Sequence, residues 1–89
     1  MRAVITVIGK DMVGILATVA TECAKYCINV QDVTQSVLQD MFAMIMIVDI
    51  SKITIEFTYF AENMENIGKE KNLIIKVMHE DIFNAMHKI

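Results

Sequence analysis

The stretch RAVITVIGKDMVGILATVATECAKYC, residues 2–27, contains the pattern that decides the fold. Residues 2–8 are apolar, short and rich in β-branched side chains, which favours a strand over a buried helix. Gly9 and Gly14 interrupt this run, and after Gly14 the apolar positions recur every four residues. That spacing predicts an amphipathic helix. Its stripe has two series: Ile15, Val19, Cys23, Cys27 and Leu16, Ala20, Ala24.

The rest of the chain continues the alternation of strands and helices. Residues 28–38 and 41–50 predict two strands joined by a turn at Gln39-Asp40. Thr54 is a plausible N-cap for a second helix, with Glu56 in its first turn, and Gly68 is its predicted end. Residues 73–78 predict a fourth strand. A short terminal helix then begins at Asp81 and turns Ile82, Phe83 and Met86 inward.

This order of elements predicts an α+β, ferredoxin-like βαββαβ fold in a single domain over residues 1–89. Right-handed crossovers put strands one and three side by side at the centre of a four-stranded antiparallel sheet, with both helices on one face. A short C-terminal helix follows the fourth strand.

The apolar content predicts an assembly of copies. Fifty-five per cent of the residues are apolar, and 41–48 are apolar at every position. In a sheet with one open face, strands alternate apolar and polar residues. These strands do not alternate, so the second face needs a cover. A second copy of the chain is the simplest one, and we expect a homodimer or higher oligomer.

Charge and composition argue against several classes of function. The net charge is −3 and Arg2 is the only arginine, whereas nucleic-acid binding needs clustered cations. Apolar runs are too short to span a membrane. Two cysteines without a secretory signal predict a cytoplasmic location.

The spacing of Cys23 with Cys27 and of His79 with His87 fits no metal site, so we expect buried cysteines, surface histidines and no metal or cofactor.

The turn between Gly9 and Gly14 carries the strongest functional signal. A helix that starts at Gly14 presents free backbone N–H groups and the positive end of its dipole, which favour an anion such as a carboxylate. Asp11 either caps this helix or meets an ammonium group, and Asn29 can both donate and accept. Together they could hold a zwitterion. The alternative is a capped helix whose glycine only forms a tight turn.

The chain resembles the ACT domain, a small module that binds amino acids and regulates metabolic enzymes. The resemblance rests on the order of elements, on GKDMVGIL at 9–16 and on Ile28-Asn29-Val30. It is strongest to a family of stand-alone ACT proteins similar to the N-terminal ACT domain of the glycine cleavage system repressor. DVTQ at 32–35, MIM at 44–46 and DIFNAMH at 81–87 are also typical of that family.

The resemblance implies a regulatory protein, not an enzyme, that binds an amino acid or small carboxylate at the interface of two domains. It also implies an unidentified regulated protein as a partner. Val13 stands where many ACT domains have proline, so this loop lacks proline's fixed φ. The alternative function is a protein–protein interaction module without a working ligand pocket. The residues at the matching ligand positions are Asp11, Met12, Val13, Gly14, Ile15, Leu16, Asn29 and Val30.

Overall fold

The computed structural model describes residues 1–10 and 13–86, and of Leu38 it describes the backbone alone. The predicted order of elements is confirmed, with boundaries that differ by one or two residues for the strands. The elements are β1 Arg2–Lys10, α1 Ile15–Lys25, β2 Asn29–Leu38, β3 Met41–Asp49, α2 Phe57–Glu70, β4 Ile74–His79 and α3 Glu80–Met86.

The four strands form one antiparallel sheet in the order β2-β3-β1-β4. The central pair is β1 and β3, as predicted, and β2 and β4 are the edges. Arg2 lies opposite Asp49 and Lys10 lies opposite Met41, which defines two ends of the sheet. The turn at Gln39-Asp40 is confirmed, and Gln39 takes a positive φ of 59° there.

One face of the sheet packs against α1 and α2 to form the core. Along β3 the even-numbered residues from Phe42 to Val48 are buried. They pack with Ile5 and Val7 of β1 and with Val19 of α1. From α2, Phe60 and Met64 are completely buried in the same cluster. Two helices therefore cover one face of the sheet, as the sequence predicted.

The limits of α2 differ from the prediction at both ends. Thr54 is not its cap and Glu56 is not in its first turn, because α2 begins at Phe57 and Glu56 is the N-cap residue. The Thr54 N–H instead donates to the Tyr26 carbonyl at 3.1 Å. The helix also passes through Gly68 and ends at Glu70. Asn72 has a positive φ of 58°, and the Leu73 N–H turns back to the Gly68 carbonyl at 2.7 Å.

Gly68 is required for close packing instead of helix termination. A Cβ at this position would lie 2.8 Å from the Leu73 carbonyl oxygen and 3.0 Å from Cγ1 of Ile75. We expect Gly68→Ala to lower the free energy of unfolding by about 1–2 kcal/mol, since overpacking outweighs the gain in helix propensity. Asn66→Ala, at an exposed position of the same helix, should change it by less than about 0.5 kcal/mol. Urea unfolding measures both, and equal effects would contradict the close contact.

In α1 only the first predicted series is buried. Ile15, Val19 and Cys23 face the core, whereas Leu16 and Ala24 are exposed and Ala20 is half-buried. The prediction that Cys27 is buried was wrong. The helix ends at Lys25, and Cys27 follows in a left-handed turn with φ 59°, where it is exposed.

The second face of the sheet is partly covered by α3, which contacts β1 and β4. Val4 points to this face and is only 2% exposed. The expectation that a second copy covers this face was therefore wrong in part, because α3 of the same chain covers some of it. The terminal helix begins at Glu80 and has no buried residue: Phe83 is half-buried, and Ile82 and Met86 are exposed, not inward.

Candidate functional site

The N-terminal end of α1 is open and lacks a side-chain cap among the residues that the structure describes. Gly14 is the N-cap residue, with φ 86°. A Cβ built on Gly14 meets nothing within 4 Å among the residues that the structure describes. Val13 next to it is fully exposed. Among the described residues, no side chain bonds to the first backbone N–H groups of α1, which an anion could reach there.

The other residues of this predicted loop have different positions. Ile15 is buried and anchors the start of α1 in the core, and Leu16 is 37% exposed beside the open helix end. Asp11 and Met12 lie outside the described residues. The suggested roles of the Asp11 carboxylate, as a helix cap or as the partner of an ammonium group, stay predictions.

Asn29 and Val30 lie at the opposite end of the sheet from Gly14. Asn29 pairs with Asp49, at the end where β1 begins, and Val30 pairs with Val48 just before a β-bulge. Gly14 follows the other end of β1. The eleven residues of α1 separate the two positions by about 16 Å. Within one chain, a single small zwitterion cannot reach both.

A pocket of about 230 Å³ lies beside Asn29. Its lining comprises Cys27, Asn29, Asp49, Ser51 and Lys52. Asp49 Oδ1 accepts hydrogen bonds from both the Ser51 hydroxyl and the Ser51 N–H. These bonds hold the pKa of Asp49 below its usual value, with a smaller effect from the amino terminus and Lys52. Asp49 is therefore a carboxylate at neutral pH.

Sequence analysis missed Asp49, Ser51 and Lys52 as pocket residues. The register of β2 and β3 places Asn29 beside Asp49, although twenty positions separate them in the sequence. A possible signal was the polar cluster DISK at 49–52, directly after the apolar strand. That cluster resembles an ordinary turn until the pairing of the strands is known.

The two cysteines and the histidine of the described region have distinct environments. Cys23 is completely buried, and burial raises the pKa of its thiol to about 11, with a smaller contribution from Glu22. Cys23 is therefore a core residue, as predicted. His79 is half-buried, and its ring stacks on Phe57 at a centroid distance of 4.2 Å. His87 lies outside the described residues.

Within the described ranges, no group of three or more His, Cys, Asp or Glu residues could hold a metal ion. The helices over the same ranges include none long and apolar enough to cross a membrane.

The family model of the ACT domain matches residues 2–78. The chain belongs to the ACT domain family. ACT domains are regulatory, ligand-binding domains, and the antiparallel sheet with two helices on one face is consistent with this fold.

Individual relatives agree with this assignment. The UPF0237 protein of Listeria innocua is 47% identical over 89 residues, covering 100% of both chains. An ACT domain protein from Streptococcus pneumoniae has a structure with a TM-score of 0.80 and 38% identity, over 98% of each chain. A putative glycine cleavage system transcriptional repressor shares the fold, with a TM-score of 0.68 and 22% identity, over 85% of this ACT domain and 43% of the repressor.

Proposed function

We propose that this chain is a single ACT domain over residues 1–89 that works as a cytoplasmic homo-oligomer. It binds an amino acid or small carboxylate at the interface between copies and regulates another protein, without catalysis, cofactor, metal, nucleic acid or membrane. Both cysteines are free thiols, in agreement with a reducing compartment.

The observation that carries the proposal is the separation of Gly14 from Asn29. The Gly14 end of α1 offers N–H groups to a carboxylate, and the Asn29 pocket offers polar side chains. These two half-sites lie at opposite ends of one chain, about 16 Å apart along α1. They become one site only when the Gly14 end of one copy meets the Asn29 end of another.

Antiparallel pairing of two β2 strands supplies that arrangement. In such a pair across a two-fold axis, Asn29 of one copy lies next to residue 38 of the other. Leu38 pairs with Met41, and Met41 pairs with Lys10, so residue 38 belongs to the end of the sheet that leads to Gly14. The second copy's Gly14 is therefore brought toward Asn29.

The surface at this junction suits contact with a second copy. β2 is an edge strand, so one side of its backbone is open to pairing. The outer stripe of α1 consists of Leu16, Ala20 and Ala24, none of them in the core. Small and apolar side chains let a second α1 approach closely. Leu16 would then lie between the ligand and solvent.

Thermal unfolding with each of the twenty amino acids and with common small carboxylic acids tests the proposal. A ligand at 100 times its Kd adds about 2.7 kcal/mol of stability. For a domain of this size, that raises Tm by more than about 10 °C. Sedimentation should show a mass of at least twice 10.1 kDa. No shift with any compound, or a monomer at every concentration, would contradict the proposal.

The apolar second face favours one alternative, a protein–protein interaction module. Ile8, Ile45 and Ile74 are each at least 40% exposed there. Ile8 and Ile45 border a cavity of about 320 Å³ between the sheet and α3, lined in part by Thr6 and Phe83. Under this alternative, Ile45→Glu abolishes partner binding and no small molecule shifts Tm. Under the main proposal, Ile45→Glu leaves ligand binding intact.

A further inference from the structure

We propose that Asp49 receives the ammonium group of the ligand, which makes the site selective for a small α-amino acid over the corresponding hydroxy acid. This inference rests on the proposed function and deepens it, because that function leaves open whether the ligand carries an amine.

The position of Asp49 in the pocket supports the assignment. It lies opposite Asn29 in the strand register, and both line the same cavity. Among the hydrogen bonds of the described residues, those to Asp49 all end on Oδ1 and come from Ser51. The Oδ2 atom can therefore accept a hydrogen bond from an ammonium group. Ser51 fixes the orientation of the carboxylate.

An ammonium group already lies beside this carboxylate. The amino terminus at Met1 is 3.9 Å from Asp49 Oδ1 and donates to the Ser51 hydroxyl at 3.1 Å. The distance to Asp49 is too long for a hydrogen bond, so the terminus does not saturate the carboxylate.

The pocket also limits the size and charge of the ligand. A cavity of about 230 Å³ is below the usual range for drug-sized ligands, which favours a short side chain. Lys52 lines the cavity and provides a cation for the carboxylate of the ligand. The N–H groups at the second copy's Gly14 provide further donors. Ammonium and carboxylate thus have separate partners.

Calorimetric titration with two matched pairs, L-serine with L-glycerate and L-alanine with L-lactate, tests the assignment. In the wild-type protein, we expect the amino acid of at least one pair to bind about tenfold more tightly than its hydroxy acid. A difference of this size corresponds to one charge-assisted hydrogen bond. Asp49→Asn keeps an acceptor for Ser51 but removes the charge, and should bring that ratio close to one. Asp32→Asn, on the same sheet and outside the pocket, should retain the preference.

The outcomes separate this inference from the proposed function. If Asp49→Asn keeps the preference for the amino acid, or if the wild-type protein shows none, the role of Asp49 is wrong while binding of a small carboxylate still stands. If none of the four compounds binds but a carboxylic acid without an amino group raises Tm, the inferred ligand class is wrong. If no small acid binds at all, both are wrong.

Discussion

Phe60→Ala is expected to lower the free energy of unfolding by about 3–5 kcal/mol, the usual cost of removing a buried aromatic ring. Phe60 is completely buried, and its ring meets Tyr26 edge-on at a centroid distance of 6.1 Å. The substitution therefore loses apolar burial, this aromatic contact and packing around the resulting cavity. For a domain of this size, we expect Tm to fall by more than about 10 °C.

Tyr59→Ala is the matched control for this prediction. Tyr59 is the preceding residue of α2 and is 58% exposed, so its replacement should cost less than about 0.5 kcal/mol. Urea unfolding followed by circular dichroism measures both variants. Similar losses in the two would mean that α2 presents a different face to the sheet.

Gly14→Asp should weaken binding of a small carboxylate by about 100-fold. Aspartate tolerates the left-handed φ of 86° better than most residues, and its charge is favourable at a helix N-terminus, so the fold should persist. The same charge repels a bound carboxylate and competes for its N–H donors. Charge-assisted hydrogen bonds of this kind contribute about 1.5–3 kcal/mol each.

Gly14→Asn separates the effect of charge from that of size. Asparagine has nearly the same shape and also tolerates a positive φ, but it carries no charge. In calorimetric titration, the Gly14→Asn protein should bind the carboxylate more weakly than wild type, and the Gly14→Asp protein much more weakly still. If Asp and Asn bind alike, electrostatic repulsion at the helix end is not important. If both match wild type, Gly14 is not at the ligand site.

The architecture was predictable because its signals are local. The β-branched run at 2–8 and the four-residue spacing after Gly14 define a strand and a helix, and right-handed crossovers then determine the strand order. Capping propensities were less informative. Thr54 has a favourable N-cap side chain, yet its backbone N–H bonds to Tyr26 and the helix starts three residues later. Tertiary contacts override such local preferences.

Only one of the two parts of the candidate site, the glycine turn, could be predicted in full from the sequence. The glycine turn before α1 has a local signature, because a helix start follows directly from it. The Asn29 pocket has none, since Asp49 and Ser51 reach Asn29 through the strand register. Helical spacing also cannot tell which of two adjacent series faces the core. Leu16 and Ala24 are exposed because α1 presents Ile15, Val19 and Cys23 to the sheet.

The central claim is that each ligand site combines Gly14 of one copy with Asn29 of another, and a mixing experiment tests it most directly. Gly14→Asp and Asn29→Ala proteins are each assayed alone, then unfolded together, refolded at equal amounts and assayed again by calorimetric titration. A mixed dimer has one site with both defects and one intact site. We expect the separate proteins to bind far more weakly than wild type, and the mixture to recover about a quarter of the sites with wild-type affinity. A mixture that binds no better than its components would contradict the shared site.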